Sequence, residues 1–348
     1  MRDAVNKPNK LRKLISQMSK LNNVSIGLYD IDMLYVVILV FAGLLPFTGL
    51  LPPSIVQSSA IVFMYIALAQ AWNIIGGVSG YPDFATVAYF GLGAYTVGIG
   101  QARFGLSFLV CLMLAFLLML SIGIIISPVM KGDRPFYFAF TTLLLFVVVE
   151  NVLYLWDPVR GFTQGVSGWP VSAEFSTTDL YLIMLILMVS FSLFVMVFKQ
   201  TKVGYGLLTI KESNDIARSL GVNIKRYRVI AMSLYCGFVG VTGAFYSTLV
   251  GWVSTDVVLG LETTLIPITI VMAAGLGKVR RVLISGLLIL FGREVINRVF
   301  PEYSTAVFGG FIVVLALLLA KDVGSGMFQR FTRPTVSTSG SDQGDTQI

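Results

Sequence analysis

The strongest constraint on this chain is the length of its runs without a charged side chain. Residues 33–82 hold none, and Pro52-Pro53 divides that run in two. Residues 84–102, 104–130, 135–149, 180–198, 229–255, 263–277, 282–292 and 303–320 are uncharged as well. A helix of about 20 mostly apolar residues crosses the hydrocarbon core of a bilayer, because it satisfies its own backbone there. With 56% of its residues hydrophobic and 12% charged, the chain carries more apolar surface than a soluble domain can hide. The expected fold class is all-α, a polytopic integral membrane protein of about ten transmembrane helices. The weakest spans are 260–277, which contains Pro267, and the glycine-rich 84–102.

The basic residues test that count, since cytoplasmic loops hold the excess of Lys and Arg. Ten crossings with both termini cytoplasmic place 21 of the 25 basic residues inside, leaving Arg103, Arg160, Arg293 and Arg298 elsewhere. The net charge of +7 is therefore a topology signal and calls for no nucleic acid. The expected organisation is a cytoplasmic segment 1–32, a transmembrane domain 33–320 with a cytoplasmic loop 199–228, and a tail 321–348 of disordered composition. Residues 1–32 are too polar for a signal peptide, so the first span is expected to direct insertion.

Several chemistries find no residues here. Cys111 and Cys236 fall inside spans and read as small core residues rather than a disulfide framework. Without histidine, there is no His metal site and no His acid–base pair. No Gly-x-x-x-x-Gly-Lys-Ser/Thr loop occurs, so ATP binding by such a loop is not expected. No catalytic residue, metal or cofactor is assigned, and a membrane enzyme is the weakest reading.

The loop 199–228 is the longest polar stretch between hydrophobic segments. Seven basic residues in it, among them Lys199, Lys202, Lys211, Arg218 and Arg228, face two acids, Glu212 and Asp215. Residues 210–220 read as one short amphipathic helix. Ile210, Ile216, Ala217 and Leu220 share its apolar face, and Lys211 and Asp215 pair across one turn on the other. Gly221 suits the left-handed position after a helix end. From pattern alone, a helix lying on the headgroups and a helix docked to a partner are equally open.

Four regions resemble one family. Thr201-Lys-Val-Gly204, Ile210-Lys211-Glu212-Ser-Asn-Asp215-Ile216-Ala217 and Leu220-Gly221-Val222-Asn223 are similar to the cytoplasmic loop of ABC transporter permeases. The nearest pattern is that of the branched-chain amino acid permeases of the LivM type. Asn73-Ile-Ile-Gly-Gly77-Val-Ser-Gly80-Tyr-Pro82, leading into Gly91-Leu-Gly93-Ala94, resembles the family's glycine-rich third span. Gly161-Phe-Thr163-Gln-Gly165-Val-Ser167-Gly168 resembles its external loop, and Ala274-Gly275-Leu276-Gly277 its glycine turn. Asp83, Ala85 and Thr86 depart from the family's usual residues, as do Gln164, Ser167 and the run Lys278 to Arg281.

The resemblance implies a permease subunit of an ABC importer that moves a small polar solute, first of all branched-chain amino acids, by alternating access. A related urea or short-amide permease is the alternative, and a stand-alone secondary transporter a further one. Ile210, Lys211, Glu212, Asp215, Ile216, Ala217, Leu220 and Gly221 are then the residues coupled to an ATPase. Asn73, Gly80, Thr86, Gly91, Gly93 and Glu150 are candidates for the substrate pathway, against a reading as helix packing alone. Thr163, Gly165 and Gly168 would lie near an external mouth, or form an ordinary surface turn. The implied partners are a second permease subunit, two ATP-binding subunits, an external solute-binding protein and the lipid bilayer.

Overall fold

In the computed structural model the described residues are 42–43, 45–48, 52–130, 135–160, 168–172, 175–299 and 309–310. All of the predicted span 303–320 but 309–310, most of the predicted span 33–51, and the predicted segments 1–32 and 321–348 therefore lie outside them. The chain forms two units, Met1–Val295 and Ile296–Ile348. Among the described residues the second contributes 309–310 and the end of the last helix.

The first unit is a helical bundle. Its long helices are α1 (Pro53–Trp72), α2 (Thr86–Phe104), α3 (Phe108–Ile126), α4 (Pro135–Arg160) and α5 (Thr177–Gln200). Two short helices follow, α6 (Lys202–Glu212) and α7 (Asn214–Ser219), then the long α8 (Ile224–Val250). The short α9 (Thr255–Val258), α10 (Glu262–Ala274) and α11 (Val279–Val299) complete it. Six segments among the described residues are long and apolar enough to cross a membrane. The helices α2 and α11 are 19 and 21 residues long but carry several glycines or charges. One pair of two-residue strands departs from the all-helical expectation: Trp169–Pro170 runs antiparallel to Trp252–Val253.

Local chemistry sets the helix starts. Pro53 opens α1, where its missing N–H costs nothing. Ser176 and Asp179 form a reciprocal capping box at α5. The Asn223 side chain accepts from the Arg226 amide at the start of α8, at 3.1 Å.

Successive long helices alternate in direction. At one end of the bundle Gly77, Met130, Lys199, Lys211, Arg228 and Gly277 hydrogen-bond among themselves. At the opposite end Phe108 meets Phe175 edge-on and Phe245 at a tilt, the strands pair, and the Ser172 amide donates to Gln101. We call these the basic and the aromatic end.

The core is built on α1, whose second half is apolar but for Gln70 and buried. It packs on α5 and α10, while α8 packs on α3 and α2. By contrast α3 and α4 expose leucines, valines and aromatics such as Leu117, Ile125, Phe140 and Val148. Such faces suit lipid tails, which are as apolar as they are.

Candidate functional site

After Trp72 the chain leaves α-helical winding. Residues Asn73–Ser79 form a π-helix that ends on Gly80 with φ +80°. Two adjacent glycines, a left-handed turn and Pro82 explain the break, since none of them favours continued α-winding. Residues 81–85 then run without regular structure to α2, and all but Pro82 and Phe84 are buried. Irregular backbone at membrane depth is tolerated where protein covers it.

The polar loop between α5 and α8 docks on this break. Lys211, at the end of α6, donates to the Gly77 carbonyl at 2.7 Å. A Cβ at Gly80 would stand 2.7 Å from Cγ of Lys211. On the other side the Gly277 amide donates to Oδ1 of Asn73 at 2.9 Å, and Lys199 donates to the Gly277 carbonyl. Arg228 is buried in the first turns of α8. It donates to the Met130 carbonyl, to the Tyr81 hydroxyl, and to Oδ1 of Asn214 at 3.1 Å. Its guanidinium also lies over the Tyr81 ring, 4.6 Å from the centroid. These cations satisfy carbonyls that helix ends leave without partners.

Deeper in lies a fully buried polar cluster. Oδ2 of Asp83 accepts from the Tyr235 hydroxyl at 2.7 Å and from the Ala85 amide at 3.1 Å. Thr86 shares a hydrogen bond with Tyr235 at 2.7 Å. The hydroxyl of Tyr89 and the side chain of Thr142 stand beside the same carboxyl. The Trp72 indole donates to the Asp83 carbonyl at 2.8 Å, tying the cluster to α1. Asp83→Leu strands a hydroxyl and an amide and is expected to cost about 2–4 kcal/mol of stability. Asp83→Asn keeps an acceptor and is expected to cost about 1 kcal/mol. Thermal unfolding in detergent checks both, and equal midpoints for the two variants contradict the account.

Several sequence expectations change here. Residues 210–220 are not one helix: Ser213, extended at φ −164°, separates α6 from α7, and its side chain accepts from the Ile216 amide. A serine favours this, because its hydroxyl competes for backbone amides. Lys211 does not pair with Asp215 but reaches Gly77, while Asp215 pairs with Arg218 at 3.3 Å. Ile210 and Ala217 are buried, Ile216 and Leu220 half-buried, and Glu212, Asp215 and Arg218 exposed. Gly221 takes the expected left-handed turn at φ +74°.

Among the pathway candidates Asn73, Gly80 and Thr86 gather at the break and its cluster. Gly91 and Gly93 serve helix packing, against Leu259 and against the backbone of Gly240. Glu150 stands apart, half-buried on α4. Beside it the Asn151 amide donates to its own helix at Val147, at 2.7 Å. Arg293 pairs with Glu262 of α10. Thr163 and Gly165 lie outside the described residues, and Gly168, at φ +66°, leads into the strand pair.

Sequence reasoning missed Asp83 and Arg228 as site residues. For Asp83 a signal existed, a lone acid between a glycine break and an uncharged run. Arg228 looked like one basic loop residue among seven.

Residues 54–316 match the family described as "Branched-chain amino acid transport system / permease component". The high-affinity branched-chain amino acid transport system permease protein LivM of Escherichia coli K12 is 27% identical over 294 residues. That match covers 75% of this chain and 68% of the relative. The protein of the same description from Salmonella typhimurium LT2 has the same identity and coverage. No solved structure matches significantly.

Proposed function

Because the chain belongs to the family of permease components of branched-chain amino acid transport systems, we propose that it is the membrane-spanning subunit of an ATP-driven importer. Its cargo in this reading is a branched-chain amino acid, as the description of its relatives implies. It is a multi-pass membrane protein. The ten crossings, the cytoplasmic termini, the second permease subunit, the two ATP-binding subunits and the external binding protein belong to the same proposal.

The observation that carries it is the contact between Lys211 and the Gly77 carbonyl. One end of the α6–α7 hairpin rests on the broken helix, and its exposed side presents Glu212, Asp215 and Arg218. An ATPase that pushed on that exposed side would move Lys211, and with it the π-turns 73–79. Those turns lead directly into Asp83 and Thr86. A displacement there changes the packing beside the buried cluster, as alternating access requires. The faces of Asn73, Gly80 and Thr86 are the proposed inner portion of the pathway.

Glu212→Lys is expected to reduce ATP-dependent uptake to background, because it places a like charge where a docked partner would meet an acid. Membrane insertion is expected to stay normal, since Glu212 is exposed. Uptake of labelled leucine into cells, normalised to protein in the membrane fraction, measures this. Wild-type uptake by the variant removes the coupling role.

One observation favours a second reading. A fully buried carboxyl, Asp83, is the kind of group that couples ions in secondary transporters. The purified chain alone in vesicles, given a proton gradient and no ATPase, separates the two. Gradient-driven accumulation by the lone chain supports the secondary transporter, and its absence supports the importer.

A further inference from the structure

The run Lys278 to Arg281 follows the glycine turn and takes no part in the coupling contacts described above. It forms one wall of a cavity of about 490 Å³ at the basic end. The end of α5 contributes Met196, Lys199 and Gln200, and α6 contributes Tyr205 and Leu208. The wall at the start of α11 adds Lys278, Val279, Arg280 and Arg281. Four cations therefore line one concavity, and no acid does among the described lining residues. Like charges around one concavity repel even though Lys199 also donates to the Gly277 carbonyl, and a bound anion relieves them.

A second observation says what kind of anion. Arg281 heads an exposed apolar stripe on α11. Ile284, Leu288 and Phe291 follow it at helical spacing, 47%, 71% and 71% exposed. Leucine and phenylalanine left that open, within the run 282–292 that the sequence places in the membrane, suit acyl chains. The arrangement is thus a cationic cup at a helix end above an apolar track. A soluble anion would use the cup and leave the track uncovered. An acidic protein loop would do the same.

We propose that this cup binds the phosphodiester headgroup of an anionic glycerophospholipid, with its acyl chains along Ile284, Leu288 and Phe291. Basic pockets between membrane helices at the cytoplasmic side recognise such headgroups in general. The proposal rests on the membrane placement of the chain and is independent of the solute it moves.

The test uses the purified full chain and native mass spectrometry. Phosphatidylglycerol, phosphatidylcholine and inorganic phosphate are titrated separately. The wild type is expected to retain phosphatidylglycerol in preference to phosphatidylcholine. Each neutralised cation is expected to weaken that retention about fivefold, and Lys278→Gln with Arg280→Gln and Arg281→Gln about a hundredfold. Arg281→Gln alone serves where the triple variant does not fold. Phosphatidylcholine retention is expected to stay constant across these variants. Equal retention of the two lipids by the wild type overturns the proposal. So does unchanged phosphatidylglycerol binding by the variants. Displacement of the bound lipid by millimolar inorganic phosphate shows a free-anion site and overturns the lipid source. Loss of ATPase association with lipid retention intact assigns the surface to a protein and overturns it too.

Discussion

Arg228→Met is expected to lower the stability of the protein by about 3 kcal/mol, among the largest effects of any single substitution. The guanidinium donates to three acceptors on three parts of the chain: the Met130 carbonyl after α3, the Tyr81 hydroxyl after the break, and the Asn214 side chain on α7. Methionine fills much of the volume and supplies no donor. Each acceptor then stays buried with one bond fewer, at about 1–3 kcal/mol each before relaxation. Arg228→Lys keeps the charge but cannot spread its donors in a planar fork, so an intermediate loss is expected. A functional effect accompanies the structural one. Arg228 ties α7 to Tyr81, so its loss is expected to reduce uptake per folded molecule beyond the reduction in folded protein. Thermal unfolding in detergent, read beside uptake normalised to folded protein, separates the two. An unchanged midpoint for Arg228→Met contradicts the bonding described.

Gly93→Val is the second large effect. Gly93 on α2 meets the backbone of Gly240 on α8, and a Cβ at position 93 would stand 2.7 Å from the Gly240 Cα. Nearby, Gly243 faces the backbone of Phe90 in the same way. Close backbone approach is what holds helices together where lipid removes the hydrophobic drive between them. A branched side chain there forces α2 and α8 apart, at an expected cost of about 3 kcal/mol. Gly93→Ala is expected to cost less, about 1–2 kcal/mol, because it adds a single carbon. Gly260→Ala is the control: no atom lies within 4 Å of a Cβ placed there, and a change within about 0.5 kcal/mol is expected. The yield of folded protein from membranes and the thermal midpoint measure the series. Equal midpoints for Gly93→Val and Gly260→Ala refute the close-packing account.

Both predictions concern contacts between segments far apart in sequence. The break at 73–80 was legible from Gly76, Gly77, Gly80 and Pro82, because backbone freedom belongs to the residue itself. Gly221 was legible for the same reason. The role of Lys211 was not, since its spacing from Asp215 fitted a surface ion pair. In the fold its ammonium instead meets the Gly77 carbonyl, which the π-turns leave available. The split at Ser213 was equally hidden: a polar residue reads as compatible with an exposed helix until a tertiary contact decides its backbone. Glu150 and Asp83 show the same limit. Both are lone acids in largely apolar stretches, and only the packing of α2 and α8 around Asp83 separates them.

The sequence by itself determined that the chain crosses a membrane repeatedly, that a helix breaks at 73–80, and that its basic residues concentrate between spans. Hydrophobicity, backbone freedom and charge are properties of single residues or short windows, so they can be read along one dimension. Tertiary structure alone decided that Lys211 and Arg228 lock the polar loop to the break, that Asp83 rather than Glu150 is the fully buried acid, and that Lys199 joins the Lys278 to Arg281 run in one cup. Those outcomes depend on which buried carbonyls and side chains meet once the helices pack, and no local pattern encodes that pairing.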